Sequence, residues 1–231
     1  MSSLQLVSAI EEAIAVDERF VWMDVGPHRR VLVRSKDADK NRSAIVSEEV
    51  DSLLNSDTLA QYVWPSADYM CKWVHKNKHL FHGKTVLELG SGTGVVGFTV
   101  SQYASSVVLT DCSAVSLALL NLTKGEGAFS NCIVSHLCWG DAKGLDLVKQ
   151  SASLDAFDIV IGSDVFYFNF SLHAGLKTAR DALGSTGTFY CGSVARSERM
   201  EDELQEVPMK YGFGLQSFEE VDSFQLYSWV L

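Results

Sequence analysis

A chain of 231 residues, 47% of them hydrophobic, can fill the core of one doubly wound domain. Its net charge of −10 and its single basic cluster, His28-Arg29-Arg30, argue against nucleic acid as a partner. Five cysteines without a CxxC pair exclude a disulfide scaffold and fit a reducing compartment, and no secretory signal or membrane-length apolar run is visible.

Residues 4–16 carry loose helical periodicity, and residues 20–25 and 30–34 alternate on either side of Gly26-Pro27 as a hairpin would. Residues 36–42 are polar and aperiodic, a surface loop. Residues 1–60 therefore read as an extension, a lid or substrate-selecting element, before a main domain over 61–231. Pro65-Ser66 suits the opening of a helix that runs toward Asn77, which leaves Trp64 just outside its start, either in the core or in a pocket wall.

The organising stretch is Val86-Leu87-Glu88-Leu89-Gly90-Ser91-Gly92-Thr93-Gly94, an apolar strand running into glycines two apart, with a helix to about residue 103 behind it. Gly90, Gly92 and Gly94 can turn the chain sharply and bring bare peptide against a ligand at a helix N-terminus. Gly92-Thr93-Gly94-Val95-Val96-Gly97 also satisfies the dinucleotide pattern, so the neighbours must decide. Glu88 at the strand end would repel a pyrophosphate and attract a cationic, amino-acid-bearing ligand such as S-adenosylmethionine. Residues 106–110 form a second strand ending in Asp111, where a ribose would need a double acceptor; NAD would use that acid equally well.

Further on, the pattern gives a helix over 113–124, strands over 132–137 and 157–163, a helix over 171–183 and a strand over 187–193. A helix over 197–211 then precedes two consecutive strands, 213–218 and 224–230. Alternation followed by a strand pair predicts an α/β fold: a Rossmann-like, seven-strand, mostly parallel sheet with an antiparallel C-terminal pair and helices on both faces. Cys132, His136 and Cys138 share one strand face but lack a fourth ligand, so no metal is expected.

Val63-Trp64-Pro65-Ser66, the glycine stretch, Leu137-Cys138-Trp139-Gly140-Asp141 and Ser163-Asp164-Val165-Phe166-Tyr167 follow one another in an order that resembles the seven-strand lysine methyltransferases known as methyltransferase family 16. The resemblance runs from about residue 60 to the C-terminus. It implies S-adenosyl-L-methionine as cofactor, with Trp64, Glu88, Gly90, Ser91, Gly92, Gly94, Asp111, Cys112, Trp139 and Ser163 around it. Asp111 would hold the ribose, Trp139 would lie beside the adenine, and Asp164 with Tyr167 would stand at the methyl group as catalytic residues. A lysine in a protein substrate, within a basic segment, is the expected acceptor of a monomeric cytoplasmic or nuclear enzyme; rival readings are another protein nitrogen, a small molecule, or a non-catalytic cofactor-binding adaptor.

Overall fold

The computed structural model describes residues 2–27, 29–35, 48–166, 169–195 and 197–231, with the backbone alone at 48, 49, 169 and 170. The expected loop over 36–42 and the candidate Tyr167 lie outside the described residues. The chain opens with α1 (Ser3–Ala15), whose N-terminus is closed by a reciprocal Ser2–Gln5 capping box. An antiparallel hairpin of β1 (Phe20–Gly26) and β2 (Arg29–Arg34) follows, then α2 (Glu48–Ser56). Ile10 and Ile14 of α1, with Val50 and Leu54 of α2, share a core with Val115, Ala118 and Leu119.

The main sheet begins after α3 (Pro65–Lys76). Its parallel strands are β3 (Thr85–Leu89), β4 (Ser106–Asp111), β5 (Cys132–His136), β6 (Phe157–Ser163) and β7 (Leu183–Val194). The intervening helices are α4 (Val95–Val100), α5 (Ala114–Gly125), α6 (Ala142–Ser151) and α7 (Asn169–Ala182). After α8 (Glu198–Glu206), β8 (Gly214–Val221) and β9 (Phe224–Val230) close the chain as an antiparallel pair. The strand order is β5-β4-β3-β6-β7-β9-β8.

Both faces of the sheet are covered. Met70 and Val74 from α3 and Phe98 and Val100 from α4 pack on one side; Leu145 from α6, Leu172 and Leu176 from α7 and Leu204 from α8 pack on the other. A strand buried on both faces must be apolar at successive positions, which is why Val86, Leu87 and Leu89 read as a run and not as an alternation. The chain order reverses at β3, which pairs with β4 on one side and β6 on the other. The crevice beyond the C-terminal ends of those strands is where such a sheet takes its ligand.

Four features differ from the sequence expectation. Helices α2 and α6 were not anticipated: α6 buries only Leu145 and Val148 while Leu147 faces solvent, too thin a stripe to stand out as periodicity. Helix α4 stops at Val100, short of 103. The stretch over 197–211 is divided at Pro208, which starts a separate 3-10 turn over Pro208–Tyr211. Strand β7 starts at Leu183, four residues early, and absorbs the extra length in a register shift opposite Phe157 and Ile159.

A buried polar network fixes the segment between α2 and α3. Fully buried Gln61 donates through Nε2 to the Leu54 and Asp57 carbonyls, both at 2.7 Å, and accepts from Arg34 Nη1 at 2.9 Å. Arg34 Nη1 also donates to the Leu54 carbonyl at 3.0 Å. We expect Gln61→Ala to cost about 2–3 kcal/mol through buried groups left without partners, or roughly 5–10 °C in melting temperature. Differential scanning calorimetry checks this; an unchanged melting temperature would show that the network does not hold the segment.

Candidate active site

Beyond β3 lies a cavity of about 570 Å³, within the usual range for a nucleoside-sized ligand. Its floor is the glycine loop. Gly90 adopts φ +62°, and a Cβ there would stand 3.1 Å from Val165 and 3.2 Å from Trp139, both also in the cavity wall. The loop is pinned to β4 from both sides: the Ser91 amide donates to the Thr110 carbonyl at 2.9 Å, and the Thr110 amide donates to Ser91 Oγ at 3.0 Å.

Glu88 closes the strand and is 3% exposed. Its Oε1 accepts the Gly97 amide at 2.9 Å, so the carboxyl caps the first turn of α4. Its Oε2 is buried with no hydrogen-bond partner among the described residues. Burial pushes the carboxyl up to about 8, against the opposing pull of Ser91 and of the Gly97 amide and with a smaller upward push from Asp111. A carboxyl on a cavity wall with one orphaned oxygen fits a cationic ligand group, which would favour its ionised form.

Asp111 faces the cavity from the end of β4. Its Oδ2 accepts the Gly92 amide and its Oδ1 the Ser113 amide, each at 2.9 Å, while burial raises its pKa. One lone pair per oxygen is left for a hydroxyl, and the same carboxylate ties the glycine loop to the start of α5. Ser113 Oγ donates to the carboxylate of Asp57, which comes in from the segment after α2. Asp57 also lines the cavity, as do Leu59 and Ala60. Sequence reading missed Asp57, because nothing local distinguishes it; Ser113, the N-cap of α5, could have been found from its place after Asp111-Cys112.

The opposite wall is aromatic and apolar. Trp139, after β5, meets Phe166 edge-on at 5.9 Å, and Leu137, Cys138 and Cys112 lie beside it. Burial and Asp111 push the Cys112 thiol up to about 11, so it is a neutral surface at physiological pH. Trp64 stands at the mouth as the N-cap residue of α3, 41% exposed, its Nε1 donating to the Leu59 carbonyl at 3.0 Å. It is a wall residue and not a core one.

Ser163 and Asp164 overhang the cavity from β6. The Ser163 hydroxyl meets Ser66 Oγ at 3.1 Å. Asp164 is 9% exposed and adopts φ +60°, an uncommon conformation for a residue with a side chain; its amide donates to the Gly192 carbonyl at 2.7 Å. Strain of this kind, on the order of 1–3 kcal/mol, persists where the surroundings impose it and gathers at functional sites. Of the twelve candidates, the structure brings ten to the cavity wall. Gly94 is not among the lining residues: a Cβ on it would come within 2.4 Å of Leu120 and 2.7 Å of Phe98, so its side-chain space belongs to the packing of α4 on α5. Tyr167 is the twelfth.

Residues 47–208 match the family described as lysine methyltransferase. The chain belongs to the lysine methyltransferase family. Relatives of this methyltransferase include protein N-lysine methyltransferase METTL21A of Danio rerio, 29% identical over 156 residues that cover 66% of this chain and 69% of that protein. EEF1A lysine methyltransferase 3 of Xenopus tropicalis is 30% identical over 141 residues, 61% of this chain and 60% of that protein. Histone-arginine methyltransferase METTL23 of Xenopus laevis is 27% identical, over 62% of this chain and 58% of that protein. The matches thus leave between 31% and 42% of each relative's length outside them.

Among solved structures, the methyltransferase shares its fold with ribosomal protein L11 methylase from Lactobacillus delbrueckii subsp. bulgaricus, at a TM-score of 0.59 and 10% identity over 90% of this chain and 97% of that one. A TehB-like SAM-dependent methyltransferase from Corynebacterium glutamicum superposes at 0.52 with 18% identity, over 78% of this chain and 95% of that one.

The Glu88 carboxyl makes a pH-dependent expectation. Below about 8 it is largely protonated, so a cationic ligand must expel its proton, and affinity for S-adenosylmethionine should rise with pH by up to about tenfold per unit until the carboxyl is ionised. Because the folded-state value lies above the ordinary 4.5, the stability Glu88 contributes is full below about 4.5 and fades as pH rises toward 8. Glu88→Gln keeps an acceptor for Gly97 and stays neutral. It should flatten both profiles and melt higher than the parent at alkaline pH; parallel profiles for the two proteins in calorimetry would contradict the assignment.

Proposed function

We propose that this chain transfers the methyl group of S-adenosylmethionine to the side-chain nitrogen of a lysine in a protein substrate. The observation that carries the reading is the convergence, on one cavity, of the buried Glu88 carboxyl, two acids at Asp57 and Asp111, an aromatic wall at Trp139 and a strained acid at Asp164. When bound, the cofactor supplies a methyl carbon made electrophilic by its sulfonium. Glu88 faces the cationic amino-acid end. Asp111 and Asp57 take the ribose hydroxyls, and Trp139 with Leu137 covers the adenine.

Asp164 works on the incoming amine. A free lysine has a pKa near 10.4, so roughly one molecule in a few thousand carries the attacking lone pair at neutral pH. A carboxylate beside an ammonium stabilises the charged form, so Asp164 does not lower that barrier by its charge. Its part is to accept a hydrogen bond from the nitrogen and aim the lone pair, while burial in the cavity disfavours the ammonium. Tyr167, carried over from the family resemblance, would flank the lysine chain with its ring. The five cysteines are all free, which supports a reducing compartment such as the cytosol, and no helix among the described residues is long and apolar enough to cross a membrane. The METTL23 relatives, named as histone-arginine methyltransferases, make a guanidinium nitrogen the second acceptor to test.

Incubating the protein with labelled cofactor and a protein extract, then locating the methyl group by mass spectrometry, tests the reading directly. Methyl-lysine supports it; methyl-arginine alone, or a labelled small molecule alone, replaces it. On the substrate so found, Asp164→Asn, which tolerates the left-handed backbone, should lower single-turnover transfer by about a hundredfold and leave cofactor affinity within about twofold. Asp164→Gly should raise stability by about 1 kcal/mol as the strain is released, and be equally slow. Full activity in either variant would show that Asp164 does not touch the reacting nitrogen. Asp57→Asn and Asp111→Asn should each weaken cofactor binding by roughly tenfold to a hundredfold without slowing the bound enzyme. Unchanged affinity would remove that acid from the ribose site.

A further inference from the structure

Strand β8 forms the outer edge of the sheet, and all eight of its residues are exposed. One side pairs with β9; the other has no strand partner among the described residues. Leu215, Phe218 and Val221 are 48%, 41% and 55% exposed along it. Such an edge offers free backbone donors and acceptors to any extended chain that can approach.

Charge decides which chain that is. From the first residue of α8 to the β8–β9 turn, residues 198–222, there are eight acids against two bases, Arg199 and Lys210, a net of −6 within a chain of −10. Helix α8 packs on the sheet near that edge: its Met200 and Leu204 share a core with Tyr227 and Trp229 of β9, the strand that pairs with β8. A second copy of this chain laid along β8 would set Glu219 and Glu220 near like charges, and anionic partners are repelled by the whole edge. A basic segment is attracted by it.

The edge also points toward the site. Asp222, in the β8–β9 turn, accepts from Tyr69 Oη at 3.2 Å, and Glu219 Oε1 accepts from Trp73 Nε1 at 3.2 Å, which ties the hairpin to α3, the helix that begins after Trp64. The Ala195 amide, at the end of β7, donates to the Ser223 carbonyl at 2.8 Å, so the turn lies at the end of the sheet where Asp164 sits. Three strand spacings separate β6 from β8 in the order β6-β7-β9-β8, roughly 15 Å, which four or five extended residues span.

We propose that the open edge of β8, with the acidic face of α8 beside it, docks a basic extended segment of the protein substrate that flanks the methylated residue. The proposal rests on the methyltransferase reading for the word substrate, and on the edge alone for the docking.

The probe is a fluorescent nonapeptide of alternating lysine and valine, added to the full chain at low salt. Amide hydrogen exchange should slow at residues 214–221 on binding. Asp202→Lys, Glu206→Lys and Glu220→Lys combined should weaken peptide binding by about tenfold or more, whereas Glu12→Lys, Glu18→Lys and Asp155→Lys, the same change in net charge placed elsewhere, should weaken it by less than about threefold. Affinity for S-adenosylhomocysteine should stay the same in both variants, and on a natural substrate the first variant should raise KM at unchanged kcat. Equal losses in the two variants, or protection away from β8, would overturn the docking site. Failure of the parent protein to bind S-adenosylhomocysteine would overturn the methyltransferase reading and leave the peptide result to be judged by itself.

Discussion

A carboxyl buried at the end of the central strand needs compensation, and the arrangement around Glu88 joins the fold to the site. One oxygen holds the first turn of α4 through the Gly97 amide, and the other is buried without a hydrogen-bond partner among the described residues, in a side chain that lines the cavity. The helix has no room for a side chain there: a Cβ at Gly97 would stand 2.3 Å from Glu88 Oε2. Folding therefore holds a carboxyl in its protonated form near neutrality beside a cavity in which a cation would favour its ionisation. The cavity wall and the strand–loop–helix unit in this way share one carboxyl.

Around that group, the first elements of the chain are tied to the glycine loop and α5 at the cavity. Arg34 and Gln61 hold the carbonyls of Leu54 and Asp57, Asp57 accepts from Ser113, and Ser113 in turn donates its amide to Asp111. The line of bonds runs from the β1–β2 hairpin to the glycine loop through Gly92. A change in the first sixty residues can thus reach Asp57 and Asp111 on the cavity wall without touching them.

The parts of this architecture legible in the sequence are those written in consecutive residues. Val86 to Gly94 declares a buried parallel strand and a turn by composition alone, and the closing strands over 213–218 and 224–230 are visible because no helix pattern separates them. Trp139 and Asp164 were placed by the order of motifs, and the structure sets both on the cavity wall. What could not be read depends on distant chain. Asp57 gains its place from a contact with Ser113, 56 positions away. Helix α6 is held by two buried side chains whose partners are in α7 and the sheet. Glu88 was legible as an acid but not as a protonated one, since its pKa follows from burial, which only the assembled sheet supplies.

The central claim is that the crevice beyond β3 is built for a cationic nucleoside, and the competing tenant named by the glycine pattern is a dinucleotide with an anionic bridge. Isothermal titration of the full chain with S-adenosylmethionine and, separately, with NAD measures this most directly. Saturable one-to-one binding of S-adenosylmethionine with no measurable binding of NAD is the expected result. Binding of NAD in its place would contradict the reading of Glu88 and, with it, the methyl-transfer function.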